Sequence, residues 1–477
     1  MMIDAMRAHL GNGGQILKSR DDNTPVLLTQ NSSAADDKPF KLSTGSRCGW
    51  AKPDEAIGSD KLRQRIEPWL TALVQSEHLA VLLGSGLTHA VHWIGAGTAL
   101  PGMNSVTFGS LDAEIAREVE RVARAAGREN GNFEDQVRVA NELLRGLEIL
   151  NAGKDHDSPE KRQLEQLRSD LSGVLAAFAK SILDGENSLA TAEAAKREEA
   201  FNYLVSFLMS FASRAGTRER LQLFTTNYDR FIEAGADTAG LRLIDRFAGT
   251  LAPVFRASRL DVDLHYNPPG IRGEPRYLEG VARFTKLHGS VDWLACDGSI
   301  RRISLPFGAM DATPYLEAPG LKGIDASSLM IYPNAAKDRE TAAFPYVELF
   351  RDFAASICRP NSTVVCYGYS FGDEHINRVL EDMLTIPSAH LVIIARGDPL
   401  GRIMRTYEGL GRHAQMTLLI GDHLGDLRAL VDHYLPKPAI DRTTFRMAEL
   451  LKARWGTEPR SNGESENPDS AAGSSTT

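Results

Sequence analysis

The sequence predicts an α/β fold, a Rossmann-like doubly wound parallel sheet with a large helical insertion. Three observations predict it. Short apolar runs alternate with stretches of helical spacing along most of the 477 residues. Each run ends in glycine or polar residues, the chemistry of the ligand-binding edge of an open parallel sheet. One long block breaks the alternation with consecutive helical stretches and no strand between them.

The runs justify themselves in order. His78–Leu83 (HLAVLL) ends in Gly-Ser-Gly, and Leu221–Thr225 (LQLFT) ends in Thr-Asn-Tyr-Asp. Leu329–Tyr332 ends in Pro-Asn. Ser362–Tyr367 (STVVCY) ends in Gly-Tyr-Ser-Phe-Gly, His390–Ala395 (HLVIIA) in Arg-Gly-Asp, and Met416–Ile420 in Gly-Asp. Strands buried on both faces read as such continuous apolar runs, often β-branched, bounded by turn residues. The helical block comprises Leu111–Ala126, Phe133–Leu150, Lys161–Leu183 and Thr191–Ala215, each with apolar residues three to four apart. Residues 1–50 read as a polar arm, loose or partner-binding. Residues 51–435 form the Rossmann-like domain, with the insertion at about 104–220. A C-terminal helix is expected at 436–456 and a disordered tail at 457–477. No internal repeat of the solenoid or propeller type is present.

Composition excludes several classes. With 42% hydrophobic residues the chain can bury a large core. Against 54 Lys+Arg stand 62 Asp+Glu, a formal net charge of −8, which argues against direct nucleic-acid binding and against a membrane-surface role. Apolar stretches such as Leu204–Ala212 fall far short of the ~20 residues of a membrane span. The N-terminus lacks a basic-then-apolar leader pattern. Cys48, Cys296, Cys358 and Cys366 form no CxxC pair. That disfavours a disulfide scaffold or a four-cysteine zinc module and fits a reducing cytoplasm.

Four motifs carry chemistry. Gly84-Ser85-Gly86-Leu87-Thr88 follows a strand; its glycines let backbone N–H groups approach a phosphate, although His89 stands where a third glycine would complete the dinucleotide fingerprint. A tight strand-to-helix turn would look the same. Gly95-Ala96-Gly97 lacks a preceding strand. Thr225-Thr226-Asn227-Tyr228-Asp229 puts an amide and a carboxylate at a strand end; Asn227 suits a water or ribose hydroxyl, and Asp229 suits either a hydrogen bond to ligand or a helix cap. Lys286-Leu287-His288-Gly289-Ser290 offers a histidine for general-base work, or a structural one. Gly368-Tyr369-Ser370-Phe371-Gly372-Asp373 reads as G-x-S-x-G between a strand and a helix. Asp398 and His413 or His423 follow in the Ser–Asp–His order of a serine hydrolase. The alternative is a glycine turn whose Ser370 hydroxyl binds ligand. Asp261-Val262-Asp263-Leu264-His265 reads as a polar loop, and Phe133-Glu134-Asp135 as a helix start with acids at its positive end. The chain has no P-loop, HExxH or EF-hand motif.

In this order the four motifs resemble the prokaryotic SIR2-like family, relatives of sirtuins that consume NAD. Gly84–Thr88 is similar to its Gly-Ala-Gly-x-Ser dinucleotide loop, and Thr226-Asn227-Tyr228-Asp229 to its Gln-Asn-Ile-Asp strand end. Leu287-His288-Gly289 resembles its His-Gly motif, and Gly368–Asp373 its later ribose-binding turn. The resemblance spans roughly Leu79 to Ile420. It implies a Rossmann-type NAD fold with NAD+ as substrate. Asn227 would hold the ribose or the attacking water, His288 would be the general base and Asp229 would orient the nicotinamide amide. The backbone of Gly84, Ser85, Gly86, Leu87 and Thr88 would hold the pyrophosphate, Ser370 with Asp373 would bind the adenosine side, and Thr226, Gly368, Tyr369 and Phe371 are further expected NAD-binding residues. Two departures, the missing four-cysteine zinc module and Ile394-Ala395-Arg396 in place of an Ile-Asn motif, put protein deacylation in doubt and imply no zinc. NAD cleavage to nicotinamide and ADP-ribose is left intact. The family further implies an NAD-depleting anti-phage effector, a homo-oligomer, and a partner such as a HerA-type ATPase or an Argonaute. A serine hydrolase using Ser370 and a non-catalytic NAD or nucleotide sensor are the competing readings.

Overall fold

The computed structural model describes residues 2–31, 39–125, 130–214, 219–258, 262–266, 276–296, 298–316, 321 and 344–437. The expected strand at Leu329–Tyr332 lies outside them. So do the expected tail and all of the expected C-terminal helix beyond Lys437.

Ten strands form the main sheet. They are β1 (Gln15–Lys18), β2 (Val26–Gln30), β3 (Phe40–Leu42), β4 (His78–Leu83), β5 (Leu221–Thr225), β6 (Arg242–Ile244), β7 (Val281–Lys286), β8 (Ser362–Tyr367), β9 (His390–Ala395) and β10 (Met416–Ile420). Their order across the sheet is β3-β2-β1-β10-β9-β8-β4-β5-β7-β6. From β10 to β6 every pairing is parallel. The chain leaves β4 toward β5 on one side and returns to β8 on the other, so the order reverses between β4 and β8. In open α/β sheets such a reversal opens a crevice at the strands' carboxyl ends.

The fold is α/β and doubly wound, and the parity of side chains along each strand shows why. Leu79, Val81 and Leu83 of β4 join one core with Val365 and Val392; Ala80 and Leu82 join another with Val364, Cys366 and Ile393. The first core is covered by α2 (Ser59–Val74), α3 (Ser85–Ala96), α7 (Ala194–Ala212) and α8 (Phe231–Ala239). The second is covered by α1 (Met2–Gly11), α9 (Tyr346–Ile357), α10 (Glu374–Leu384) and α11 (Arg402–Leu410). Apolar residues at successive strand positions are what two helical layers demand.

The segment between β4 and β5 is helical. α4 (Asp112–Ala125), α5 (Phe133–Leu150) and the long α6 (Pro159–Ala190) lie between β4 and β5 and enclose their own core, with Ile115, Phe133, Val137 and Leu167 at its centre. α7, by contrast, packs its Leu204, Phe207 and Leu208 on the sheet core.

The first 50 residues correct the expectation of a loose arm. β1 pairs antiparallel with β10, then β2 with β1 and β3 with β2, so the arm extends the sheet by three strands. Its polar residues are not idle: buried Lys18 donates from Nζ to the Met416 carbonyl at 2.8 Å, and the Gln15 carboxamide oxygen accepts the backbone N–H groups of His423 and Leu424, both at 3.0 Å. A non-local antiparallel pairing satisfies them, and no local spacing announces such pairing.

A small four-stranded sheet is built from Phe247–Ala248 and Val254–Phe255, before β7, and Trp293–Cys296 and Ser299–Arg302, after His288. No helix among the described residues is long and apolar enough to cross a membrane.

Candidate active site

At the reversal point two glycine turns touch. Gly84 N–H donates to the Tyr367 carbonyl and Gly86 N–H to the Gly368 carbonyl, both at 3.0 Å. A Cβ on Gly84 would lie 2.4 Å from the Gly368 oxygen, and one on Gly368 would lie 2.6 Å from the Gly86 Cα. Only glycine permits this approach, and Gly368 also has φ +62°. The contact aims the first turn of α3 at a cavity of about 240 Å³. Helix-start N–H groups and the helix dipole favour an anion there.

The strand end after β5 supplies the next layer. Asn227 is buried, and its Nδ2 donates to the Gly84 carbonyl and to Thr88 Oγ1, both at 2.9 Å. Thr88 Oγ1 donates in turn to Asp229 Oδ2 at 2.7 Å, while Asp229 Oδ1 accepts the Phe231 N–H at 3.1 Å. The Asn227 amide nitrogen is thereby engaged with the protein. Its carbonyl oxygen is the group through which it can serve a ligand. Asp229 is not the N-cap of α8, which is Arg230, but it bonds the first helical N–H and also lines the cavity.

His288 follows β7. Its Nε2 lies 2.8 Å from Asp373 Oδ2, and its Nδ1 lies 3.9 Å from Glu134 Oε1. Asp373 also caps α10, accepting from His375 N–H at 3.0 Å and Ile376 N–H at 3.3 Å. Asp373, expected on the adenosine side, thus sits against the histidine. A carboxylate on one ring nitrogen orients the imidazole. Tyr369 is buried, with its hydroxyl 3.2 Å from the Asp373 carbonyl and 3.0 Å from Asn377 Oδ1; burial raises it well above the ordinary phenol range.

Gly84, Ser85, Thr88, Thr226, Asn227, Asp229, His288, Tyr369, Ser370 and Asp373 all line this one cavity. Gly86, Leu87, Gly368 and Phe371 support its walls instead: Leu87 and Phe371 are buried in the two cores. Several lining residues had no sequence signal. His89, held below the ordinary imidazole range by burial and by neighbouring His92, and Arg402 at the start of α11 are two of them. The insertion adds Asn132, Glu134, Phe178 and Ile182. An acid in a first helical turn, such as Glu134, looks like ordinary capping.

The hydrolase constellation is not assembled. Asp398 is buried and accepts the N–H groups of Ile403 at 3.2 Å and Met404 at 2.9 Å. His413 stacks on Tyr407 with centroids 4.3 Å apart, and His423 bonds the Tyr434 hydroxyl at 2.6 Å. Besides Gly368, the left-handed residue of the turn is Phe371 (φ 53°), whereas a nucleophile elbow strains the serine itself. Ser370→Ala should therefore leave any turnover in this cavity largely intact, which a side-by-side assay with His288→Ala would show. Equal loss in both variants would restore Ser370 to the chemistry.

The insertion is tied beside the site by a buried ion pair. Glu186 of α6 accepts from Arg230, Nη2 to Oε2 at 2.5 Å and backbone N–H to Oε1 at 2.8 Å. Burial pushes the Glu186 carboxyl up to about 7 even against the facing Arg230. Glu186→Ala would leave Arg230 buried without its partner, and we expect a loss of about 3–5 kcal/mol in denaturant unfolding. Asp263 of the polar loop pairs with Arg220 at 3.0 Å, a structural use. Among the described residues no group of three or more His, Cys, Asp and Glu side chains is placed to hold a metal.

Residues 222–411 match the family model of the SIR2-like domain. The SIR2-like segment begins in β5 and ends after α11. It takes in Asn227, Asp229, His288 and the Gly368–Asp373 turn, and it leaves out Gly84–Thr88 and the insertion. No curated protein matches the chain. One solved structure, described as "The Structural basis of Sirtuin Substrate Affinity", aligns over 81% of this chain and 99% of its own at 14% identity and a TM-score of 0.33.

Proposed function

We propose that the chain hydrolyses the nicotinamide–ribose bond of NAD+, with nicotinamide and ADP-ribose as products. The observation that carries this is the convergence of Gly84, Ser85, Thr88, Asn227 and His288 on one cavity at the strand-order reversal. The SIR2-like segment and its resemblance to NAD-consuming proteins supply the substrate.

Bond cleavage builds positive charge on the ribose while nicotinamide leaves neutral. The protein must orient the ring, shield the cationic centre and admit one water. The α3 turn would take the pyrophosphate through backbone N–H groups, with Arg402 as the nearby cation. The Asn227 oxygen, fixed because its nitrogen is bonded to Gly84 and Thr88, would accept from the water or a ribose hydroxyl. His288, oriented through Asp373, would take the proton released. Asp229 would face the nicotinamide amide.

Incubation of the purified chain with NAD+, followed by chromatography of nicotinamide and ADP-ribose, tests the proposal. Tight NAD+ binding without nicotinamide release would instead make the cavity a sensor. The wider reading, an NAD-depleting anti-phage effector that forms a homo-oligomer and works with a HerA-type ATPase, rests on the resemblance. Repeating the assay with such an ATPase added, and measuring mass in solution, would test it.

A further inference from the structure

We propose that Glu134, delivered by the helical insertion, is a positioning residue for His288, so that the insertion completes the reacting assembly; this rests on the NAD+-cleaving reading above. The start of α5 shows how the side chain becomes available. Asn132 and Asp135 cap the helix reciprocally, each side chain accepting the other's backbone N–H at 3.0 Å. That box leaves Glu134 between them with no capping duty. Its carboxylate turns toward the sheet, where Oε1 accepts the Tyr228 hydroxyl at 3.1 Å and lies 3.9 Å from His288 Nδ1.

The imidazole therefore stands between two carboxylates on opposite nitrogens. Asp373 comes from the turn before α10, and Glu134 from the insertion. Tyr228, whose ring centroid lies 6.4 Å from that of His288, holds Glu134 in place. Nε2 lies against Asp373, and Nδ1 is the nitrogen on the Glu134 side. When water attacks, its oxygen bonds the ribose carbon and the C–N bond breaks. The bonding pair leaves with neutral nicotinamide, and a water proton passes to Nδ1. The ring becomes an imidazolium with Glu134 at ion-pairing distance. Glu134 acts on the state after proton transfer more than on the state before it, the condition for raising kcat rather than binding.

Glu134→Gln tests this in the full chain. The amide keeps an acceptor for Tyr228 and removes the charge. We expect kcat for nicotinamide release to fall by about 10- to 100-fold, with KM for NAD+ and the melting temperature nearly unchanged. Tyr228→Phe keeps both carboxylates and should lower kcat by less. A Glu134→Gln enzyme with wild-type kcat overturns the assignment, as does a loss confined to KM or a larger loss in Tyr228→Phe. An active wild type with unaffected Glu134→Gln sinks this inference alone, whereas a wild type that releases no nicotinamide removes the hydrolase reading and this inference together.

Discussion

Asn227→Ala should lower nicotinamide release by about 10²-fold or more while the chain still folds. The side chain does two things at once. Its nitrogen ties the Gly84 carbonyl to Thr88, and through Thr88 to Asp229. Its oxygen is left for the ligand. Alanine removes both, leaving the buried Gly84 carbonyl without that donor, at a cost of about 1–3 kcal/mol. That is a fraction of a typical domain's stability, so unfolding curves and turnover separate the two effects. A folded Asn227→Ala protein that still cleaves NAD+ would end the assignment.

Alanine at either of the touching glycines should be strongly destabilising. Gly84→Ala meets only backbone atoms, the Gly368 oxygen at 2.4 Å and the Tyr369 Cα at 2.6 Å, so no rotamer change relieves it. Gly368→Ala meets the Gly86 Cα at 2.6 Å and also forces a left-handed φ on a residue with a Cβ. Overpacking costs about 1–3 kcal/mol and the dihedral a further 1–2 kcal/mol. Gly368→Ala should thus be the worse of the two by melting temperature. Both should lose NAD+ binding, because separating the turns moves the α3 start away from the cavity. Since they break one contact, the double variant should lose less than the sum of the two. Full additivity would mean that the turns do not act as a unit.

How much was legible depends on where each residue's partners lie. The runs at His78, Leu221, Ser362, His390 and Met416 appear in the structure as strands with those ends. They lie under helices on both faces, so burial alone makes them continuously apolar. β7 (VARFTK) escaped because Arg283, Thr285 and Lys286 break its apolar run; buried Lys286 instead pairs with Glu233 at 2.9 Å. β1–β3 escaped because their polar residues find partners nearly the whole chain away. The motif residues at Asn227, Asp229, His288 and Asp373 were visible as types at strand ends, but Asp373's neighbour was not. Glu134, His89 and Arg402 were invisible as site residues.

By itself the sequence determined the α/β class and five of the parallel strands, and it displayed the four motifs at their ends and turns. These follow from local periodicity and turn chemistry, which a linear chain displays openly. Only the tertiary structure decided that Gly84 and Gly368 share one contact, that the polar N-terminal residues extend the sheet, and that Asp373 and Glu134 flank His288 from opposite sides. Each of these is a pairing between segments far apart in the chain. Such pairings are set by how strand order and helix packing close the cavity, and neither composition nor spacing records them.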